Sequence, residues 1–366
     1  MTGDTPSFSF AQRVLEWYRY NRRELPWRST NDPYCITVAE FMLHQTQAQT
    51  VLPYYHHFLE RFPSWASLAR ASLDDVLKVW EGLGYYARAR NLHALAQSVC
   101  SQYDGRLPSS RDELLALAGV GPYTAGAILS ICFGADEAAI DGNVRRVLCR
   151  VFQITEDPRA GAGLRRLRET AAALLPSGRA GTFNQALMDL GATVCRPRRP
   201  KCGACPLGDQ CEARQLGVQE NLPVRHTRKT LPHHDIAAGV IWRDGRILIA
   251  RRPPRGLLGG LWEFPGGKRE PRESLEECLA REVQEELGIV IHVGEQLATV
   301  KHAYTHFRIT LHAYHCFHVS GEPRAIGCTA WKWVTPQELL DYAFPAANRT
   351  IIAALQRADC TRGDAN

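Results

Sequence analysis

Nowhere in the 366 residues does the chain carry a run of apolar side chains long enough to cross a membrane as a helix. The opening MTGDTPSFSFAQRV also lacks the basic start and apolar core of a secretory signal. A soluble, intracellular, cytoplasmic protein with no membrane partner is therefore expected, and a monomer is the simplest state. Internal repeats and low-complexity tracts are absent, which excludes solenoids and disordered chains. No strong excess of one charge exists either: 44 basic against 38 acidic residues leave +6, too little to argue for nucleic acid by itself.

What is present is ordinary globular material, 45% hydrophobic and 22% charged, in a length that predicts two or three domains. The twelve cysteines, in a chain without a secretory signal, point to metal ligation or scattered buried thiols rather than disulfides. Spacing separates these readings. Cys195, Cys202, Cys205 and Cys211 are separated by six, two and five residues, while the other eight are dispersed. Four ligands from one short loop suit a metal site, with zinc as one occupant.

From Phe8 to about Leu216 the apolar residues recur at three and four, in VLEWY, AEFML, DVLKVW, TAGAILSICF and FNQALMDL, and predict helices. After LPVRHTRKTLPHH the pattern changes to DIAAGVIWRDGRILIARR, two β-prone runs around an Asp-Gly turn, and later to ATVKHAYTHFRITLHAYHCFHV. A helix is expected in ESLEECLAREVQEELG, and a last one in ANRTIIAALQRA. The expected division is a helical domain over 1–225, a basic Pro-containing linker over 226–235, an α/β domain over 236–357 and a tail over 358–366.

Several residues stand out for their chemistry. Gly119 and Gly121 in LAGVGPYTAGAILS place a tight turn before a helix start, where backbone amides can approach a phosphate, or where two helices simply turn a corner. Asp141 in AIDGNVRRVLCR precedes an arginine-rich helix, the place of an N-cap or of a functional anion. Glu40 lies among Val38, Ala39, Phe41, Met42 and Leu43, surroundings that can desolvate a carboxylate and raise its pKa; a partly exposed helix glutamate is the alternative. Arg196, Arg198, Arg199 and Lys201 in the cysteine loop suggest a phosphate-facing surface or a solvated charge run. Farther on, Glu282, Glu285 and Glu286 sit at i, i+3 and i+4, collecting three carboxylates on one helix face, either to hold Mg²⁺ against a diphosphate or as a solvated acidic face.

In combination, LAGVGPYTAGAILS, DGNVRRVL, AEFMLHQTQAQTVLPYY, GLGYYARARNLH and the cysteine loop resemble the adenine DNA glycosylases of the MutY type over most of residues 12–225. The fold this implies is an all-α helix-hairpin-helix glycosylase domain with a [4Fe-4S] loop ligated by Cys195, Cys202, Cys205 and Cys211. The resemblance implies that Glu40 protonates adenine and later helps activate water, Asp141 stabilises the sugar cation, and Tyr123 and Asn143 support them. It also implies that Gln45 and Tyr85 insert into the base stack while Gly119 and Gly121 hold a backbone phosphate. Related strand-cutting glycosylases carry a Schiff-base lysine in the GVGPYTA turn, whereas this chain has Tyr123, so a monofunctional enzyme is expected over an endonuclease III-like pyrimidine glycosylase with lyase activity. A catalytically silent, cluster-bearing DNA-binding or redox-sensing protein is the reading from another class. The chain departs from the family at His44, where Gln is usual, and at Ala118, where Pro is usual.

GGKREPRESLEECLAREVQEELGI matches the fixed positions of the Nudix box, with Gly267, Glu273, Arg281, Glu282, Glu285 and Glu286 in place, and residues 236–357 resemble the MutT-like Nudix hydrolases. By that resemblance Arg252 and Phe264 match phosphate- and base-contact positions, and Asn348 in FPAANRTII an oxidised-guanine reader. Tyr304, Thr305 and His306 in HAYTHFRITL are similar to the MutY lesion-reading segment. Two roles follow for this domain: recognising 8-oxoguanine opposite adenine in double-stranded DNA, or also hydrolysing 8-oxo-dGTP to the monophosphate with Mg²⁺.

Overall fold

A computed structural model of the chain describes residues 6–224, 231–304 and 307–363. Thr305, His306, linker residues 226–230 and the last three residues of the tail lie outside the described residues. Contacts divide the chain into two compact units, residues 1–70 with 91–228, and residues 71–90 with 229–366. Among the described residues no helix is long and apolar enough to cross a membrane.

Helices account for the regular structure of the first unit. They are α1 (Pro6–Asn21), α2 (Pro33–Leu43), α3 (Ala48–Arg61) and α4 (Trp65–Arg70); α5 (Leu73–Val79) belongs to the other unit, and α6 (Ala87–Gln102) follows it. Then come α7 (Arg111–Ala116), α8 (Pro122–Cys132), α9 (Gly142–Val151), α10 (Gly161–Ala173), α11 (Ala180–Thr193) and the single turn α12 (Glu212–Gln215). A surface helix shows one apolar stripe, but α2 buries eight of its eleven residues and α8 is nearly as apolar all round, so both run through the interior against each other. Helix α11 packs on α1, α8 and α9, and closes a core that includes Phe10, Val14, Val147, Leu148, Phe183 and Leu190.

The turn from α7 to α8 depends on Gly119. Its φ is +76°, and a Cβ there would meet Asn91 Cβ at 2.7 Å and Phe41 Cε1 at 2.9 Å. No side chain fits, and no L-residue adopts that backbone easily. Val120 N donates to Leu117 O at 3.2 Å, so the turn closes with Ala118 in the place of the usual proline. Helix α8 then starts from Gly121 as N-cap with Pro122 at its first position, where the missing N–H costs nothing.

The second unit is built on a mixed sheet of β1 (His233–Arg243), β2 (Arg246–Arg251), β3 (Trp262–Glu263), β4 (Gly266–Lys268), β5 (Val290–Ala303), β6 (Arg308–Ser320) and β7 (Ala330–Val334). The order is β3-β2-β1-β6-β5, with β1 and β6 parallel, β4 on β1 and β7 on β2. The Asp-Gly pair makes the β1–β2 hairpin as expected, with positive φ at Asp244 (49°) and Gly245 (72°) and Arg243 opposite Arg246. Strand alternation sends Ile247 and Ile249 to one face, with α14 (Ala346–Gly363), and Leu248 to the other, with α13 (Leu275–Leu287). Helix α13 begins in a complete Ser274–Glu277 capping box and ends at Gly288 in the left-handed conformation. Its acidic face is therefore held at both ends.

Candidate active site and cluster loop

Glu40 is carried by the most apolar stretch of α2 and is only 4% exposed. Burial disfavours its charge and pushes the carboxyl up to about 7, against the opposing effect of a hydrogen bond from Tyr123. That bond, Tyr123 Oη to Glu40 Oε2, is 2.5 Å long and joins α8 to α2 across the middle of the unit. Tyr123 is itself held well above its ordinary value by burial and by the neighbouring carboxylates, so it stays a donor.

Asp141 is the N-cap of α9, as the bland reading of the sequence has it, and it also faces the same cavity. Val144 N donates to its Oδ1 and Asn143 Nδ2 to its Oδ2, each at 2.7 Å. Burial raises the Asp141 pKa, while these accepted hydrogen bonds oppose the rise and favour the anion. Asn143 is in turn fixed by Arg146 Nη2 at 2.8 Å, and the same guanidinium donates to Gly191 O and, through Nε, to Cys195 O, each at 2.7 Å. Helix α11 approaches so closely here that a Cβ on Gly191 would lie 2.5 Å from Asn143 Cβ.

Glu40, Tyr123, Asp141 and Asn143 line one cavity of about 960 Å³, with Gln45, Gly119 and Gly121 also on its wall. An acid near neutrality and a hydrogen-bonded carboxylate thus share a space large enough for a nucleoside. His44 lies at this wall too. Its ring stacks against Phe41 at 5.8 Å and tilts against Tyr123 at 5.9 Å, and its Nε2 is 3.0 Å from Thr124 Oγ1. The backbone at Gln45 has φ +61°, a conformation that L-residues avoid. Tyr85, in the second unit, is likewise at φ +49° and 44% exposed, with the Arg88 guanidinium over its ring.

Sequence reasoning missed the carboxylate that anchors two arginines of this wall, Arg23 and Arg28. Asp189 on α11 is fully buried and takes a two-pronged hydrogen bond from Arg28, Nη1 to Oδ2 at 2.7 Å and Nη2 to Oδ1 at 2.9 Å, plus Arg23 Nε at 2.6 Å. Arg28, Trp27 and Gln185 face the cavity, and the Arg28 charge acts to lower the Glu40 pKa. The signal was available: Asp189 in ALMDLG is a carboxylate among apolar residues, as Glu40 is.

The four cysteines of the loop converge as expected. Cys195, Cys202, Cys205 and Cys211 line one small cavity with Arg150, Lys201 and Arg214. Among the described residues no three thiol, imidazole or carboxylate side chains gather tightly enough for a single ion. A shared hollow between four thiols, walled by cations, fits a polynuclear anionic group better than one zinc ion.

In the second unit Arg281 organises the acidic helix. It donates to Glu273 through Nε (3.1 Å) and Nη2 (2.9 Å), and through Nη1 to Glu282 (3.1 Å) and Glu285 (3.2 Å). Hydrogen bonds from Arg281 and from Glu270 N hold Glu273 well below the usual carboxylate range. Glu286, by contrast, is pushed up to about 7, first by burial and then by Glu263 and Glu282. A Cβ on Gly267 would fall 2.1 Å from the Glu282 carboxyl carbon, so this glycine is the bed of that carboxylate. Arg252 pairs with Glu263 at 2.6 Å. Asn348 accepts from Phe264 N at 3.0 Å, while the Phe264 ring is buried against Phe344 in the core rather than open at the surface. Tyr304 packs on Phe307 at 4.9 Å.

Three family profiles match: "HhH-GPD superfamily base excision DNA repair protein" over residues 38–186, "Iron-sulfur binding domain of endonuclease III" over 195–211, and "NUDIX domain" over 237–354. The chain also resembles a solved thermostable thymine-DNA glycosylase, 32% identical with a TM-score of 0.53, over 57% of this chain and 97% of that one. Fold, site and profiles define a DNA N-glycosylase of the helix-hairpin-helix class, with an iron-sulfur cluster in its cysteine loop and a Nudix domain C-terminal to these in the chain. The human adenine DNA glycosylase is 34% identical over 95% of this chain and 74% of its own length, and that of Buchnera aphidicola (subsp. Acyrthosiphon pisum, strain APS) 34% identical over 82% and 84%. The chain belongs to the adenine DNA glycosylases.

Proposed function

We propose that the chain removes adenine paired with 8-oxoguanine, or with guanine, from double-stranded DNA. Glu40, Asp141, Tyr123 and Asn143 carry the chemistry. Adenine enters the cavity flipped out of the duplex, because its glycosidic bond cannot be reached inside the stack. Glu40, protonated near neutral pH, gives its proton to N7 of the base as the electron pair of the glycosidic bond moves onto adenine. The sugar is left as an oxocarbenium ion, and the Asp141 carboxylate lies against that positive charge. Glu40, now an anion, takes a proton from the attacking water, and the hydroxyl closes on the sugar carbon. Tyr123 holds Glu40 by one carboxyl oxygen, leaving Oε1 for the base. Asn143 and Arg146 keep Asp141 ionised and aimed.

The observation that carries this reading is the pair itself, an acid raised to about 7 and a hydrogen-bonded carboxylate on the wall of one cavity. Gln45 and Tyr85 serve as wedges, held out by strained backbone, and the Gly119–Gly121 turn receives a phosphate. The cysteine loop holds a [4Fe-4S] cluster, one thiolate to each iron. The Nudix domain reads 8-oxoguanine, with Asn348 and Tyr304 on the described part of its recognition face. Single-turnover base release from duplexes holding A·8-oxoG, A·G, A·C and thymine glycol tests the assignment. Preference for the first supports it, and release of thymine glycol with a borohydride-trappable enzyme would overturn it.

A second activity, hydrolysis of 8-oxo-dGTP to 8-oxo-dGMP, is favoured by one observation. The full acidic set is present, and Glu286 is raised first by burial and then by the acids it faces, a demand that a divalent cation satisfies. Mg²⁺ would be held by Glu282, Glu285 and Glu286 once Glu282 and Glu285 turn from Arg281 toward one ion, and would neutralise a diphosphate. Arg281 then retains Glu273, and Arg252 offers its charge to a phosphate. Incubation with 8-oxo-dGTP and Mg²⁺ tests this, and no monophosphate above a Glu282→Gln control would retire it.

A further inference from the structure

Arg28, Arg146 and Arg150 are enclosed in the first unit, and they are answered differently; the charge of Arg146 acts on Asp141. Arg28 has Asp189. Arg150, on α9 and only 1% exposed, has carbonyls, one thiol and, among the described residues, no carboxylate. Its Nε donates to Leu222 O at 3.0 Å, its Nη1 to Arg196 O at 2.8 Å and its Nη2 to Pro197 O at 3.2 Å. Nη1 also lies 3.3 Å from Cys195 Sγ. Its own main-chain carbonyl accepts from Cys211 Sγ at 3.5 Å, so the residue touches two of the four cysteines.

Neutral carbonyls solvate a guanidinium but do not cancel its charge, and a buried charge without an opposite is costly. Lys201 and Arg214 on the same cavity wall add positive charge rather than relieve it. The missing anion must come from the contents of the cavity. Four thiolates around an iron-sulfur cluster supply it, and hydrogen bonds and charges at the ligand sulfurs are what a protein uses to set a cluster's potential.

We propose that Arg150 is the internal counter-cation of the iron-sulfur cluster. It acts as a positioning residue on the Cys195 thiolate, favouring cluster retention and raising the reduction potential. A positive charge beside the cluster stabilises the more reduced, more negative form. Removing the charge therefore lowers the potential.

Cluster-loaded Arg150→Gln and Arg150→Lys proteins, compared with the unaltered chain for iron content, visible absorbance and midpoint potential, test this. Arg150→Gln should lower the potential by about 59 mV or more, the one-electron equivalent of a tenfold lost preference for the reduced cluster. Arg150→Lys, which keeps the charge, should restore most of it. An iron-loaded Arg150→Gln protein with unchanged potential would overturn the proposal and leave Arg150 as a stitch between main-chain segments. Should Arg150→Gln accumulate without iron, the lysine variant decides: iron-loaded supports the need for charge, iron-free overturns it in favour of fork geometry alone.

Discussion

Two glutamates in this chain, one in each unit, are raised to about the same value by different neighbours. Glu40 and Glu286 both stand at about 7, and burial is the first cause for each. Around Glu40 a phenol donor and the Arg28 charge oppose the rise, and a single acid, Asp141, whose own hydrogen bonds favour its charge, adds to it. Around Glu286 the rest is further acid, Glu263, Glu282 and Glu285, opposed by Arg252. The difference teaches how one residue type serves two chemistries. In the proposed reading Glu40 would keep its proton until a base takes it, whereas Glu286 would shed its proton to a cation.

The largest effect should come from removing the fixed anion of the first site. Asp141→Asn is expected to slow single-turnover adenine release by about 10³-fold or more, with duplex binding retained. Near wild-type release would break the pairing. Glu40→Gln is expected to slow release by about 10²-fold or more. It should also change the protein's stability with a definite sign. A carboxyl whose folded pKa is raised contributes stability that is complete below its unfolded value and lost as pH rises through about 7. Glu40→Gln should therefore melt higher than the parent at pH 8, and no higher at pH 5.

A smaller effect is expected at the hairpin. Gly119→Ala should cost about 1–3 kcal/mol of stability, since the new Cβ meets both an unfavourable φ and the Asn91 side chain, and denaturant unfolding measures it. The smallest effect sharpens the comparison from the other side. Mg²⁺ should raise the melting temperature of the parent at pH 8 by a few degrees, and Glu286→Gln should lose that gain. An equal gain in both would mean that the acidic helix does not hold the ion.

Much of the fold was legible because it is written locally. The Asp244–Gly245 hairpin, the Ser274–Glu277 box, the apolar helices α2 and α8 and the cysteine spacing each need only a short window of sequence. Glu40 was legible for the same reason, by its apolar neighbours. Contacts that span the chain were not. Arg28 and Asp189 meet across 161 positions and Arg150 and Leu222 across 72, and no periodicity registers such pairs. Nor does any local pattern indicate that residues 71–90 group with the second unit, through contacts such as Asp74 with Arg251 and Glu81 with Phe344 N.

The pH dependence of single-turnover adenine release from an A·8-oxoG duplex, in the parent and in Glu40→Gln, tests the central claim most directly. A buried proton donor predicts a rate that falls as pH rises through about 7 in the parent, and a slow rate without that fall in the variant. A parent profile flat across this range, or the same fall persisting in Glu40→Gln, would contradict it.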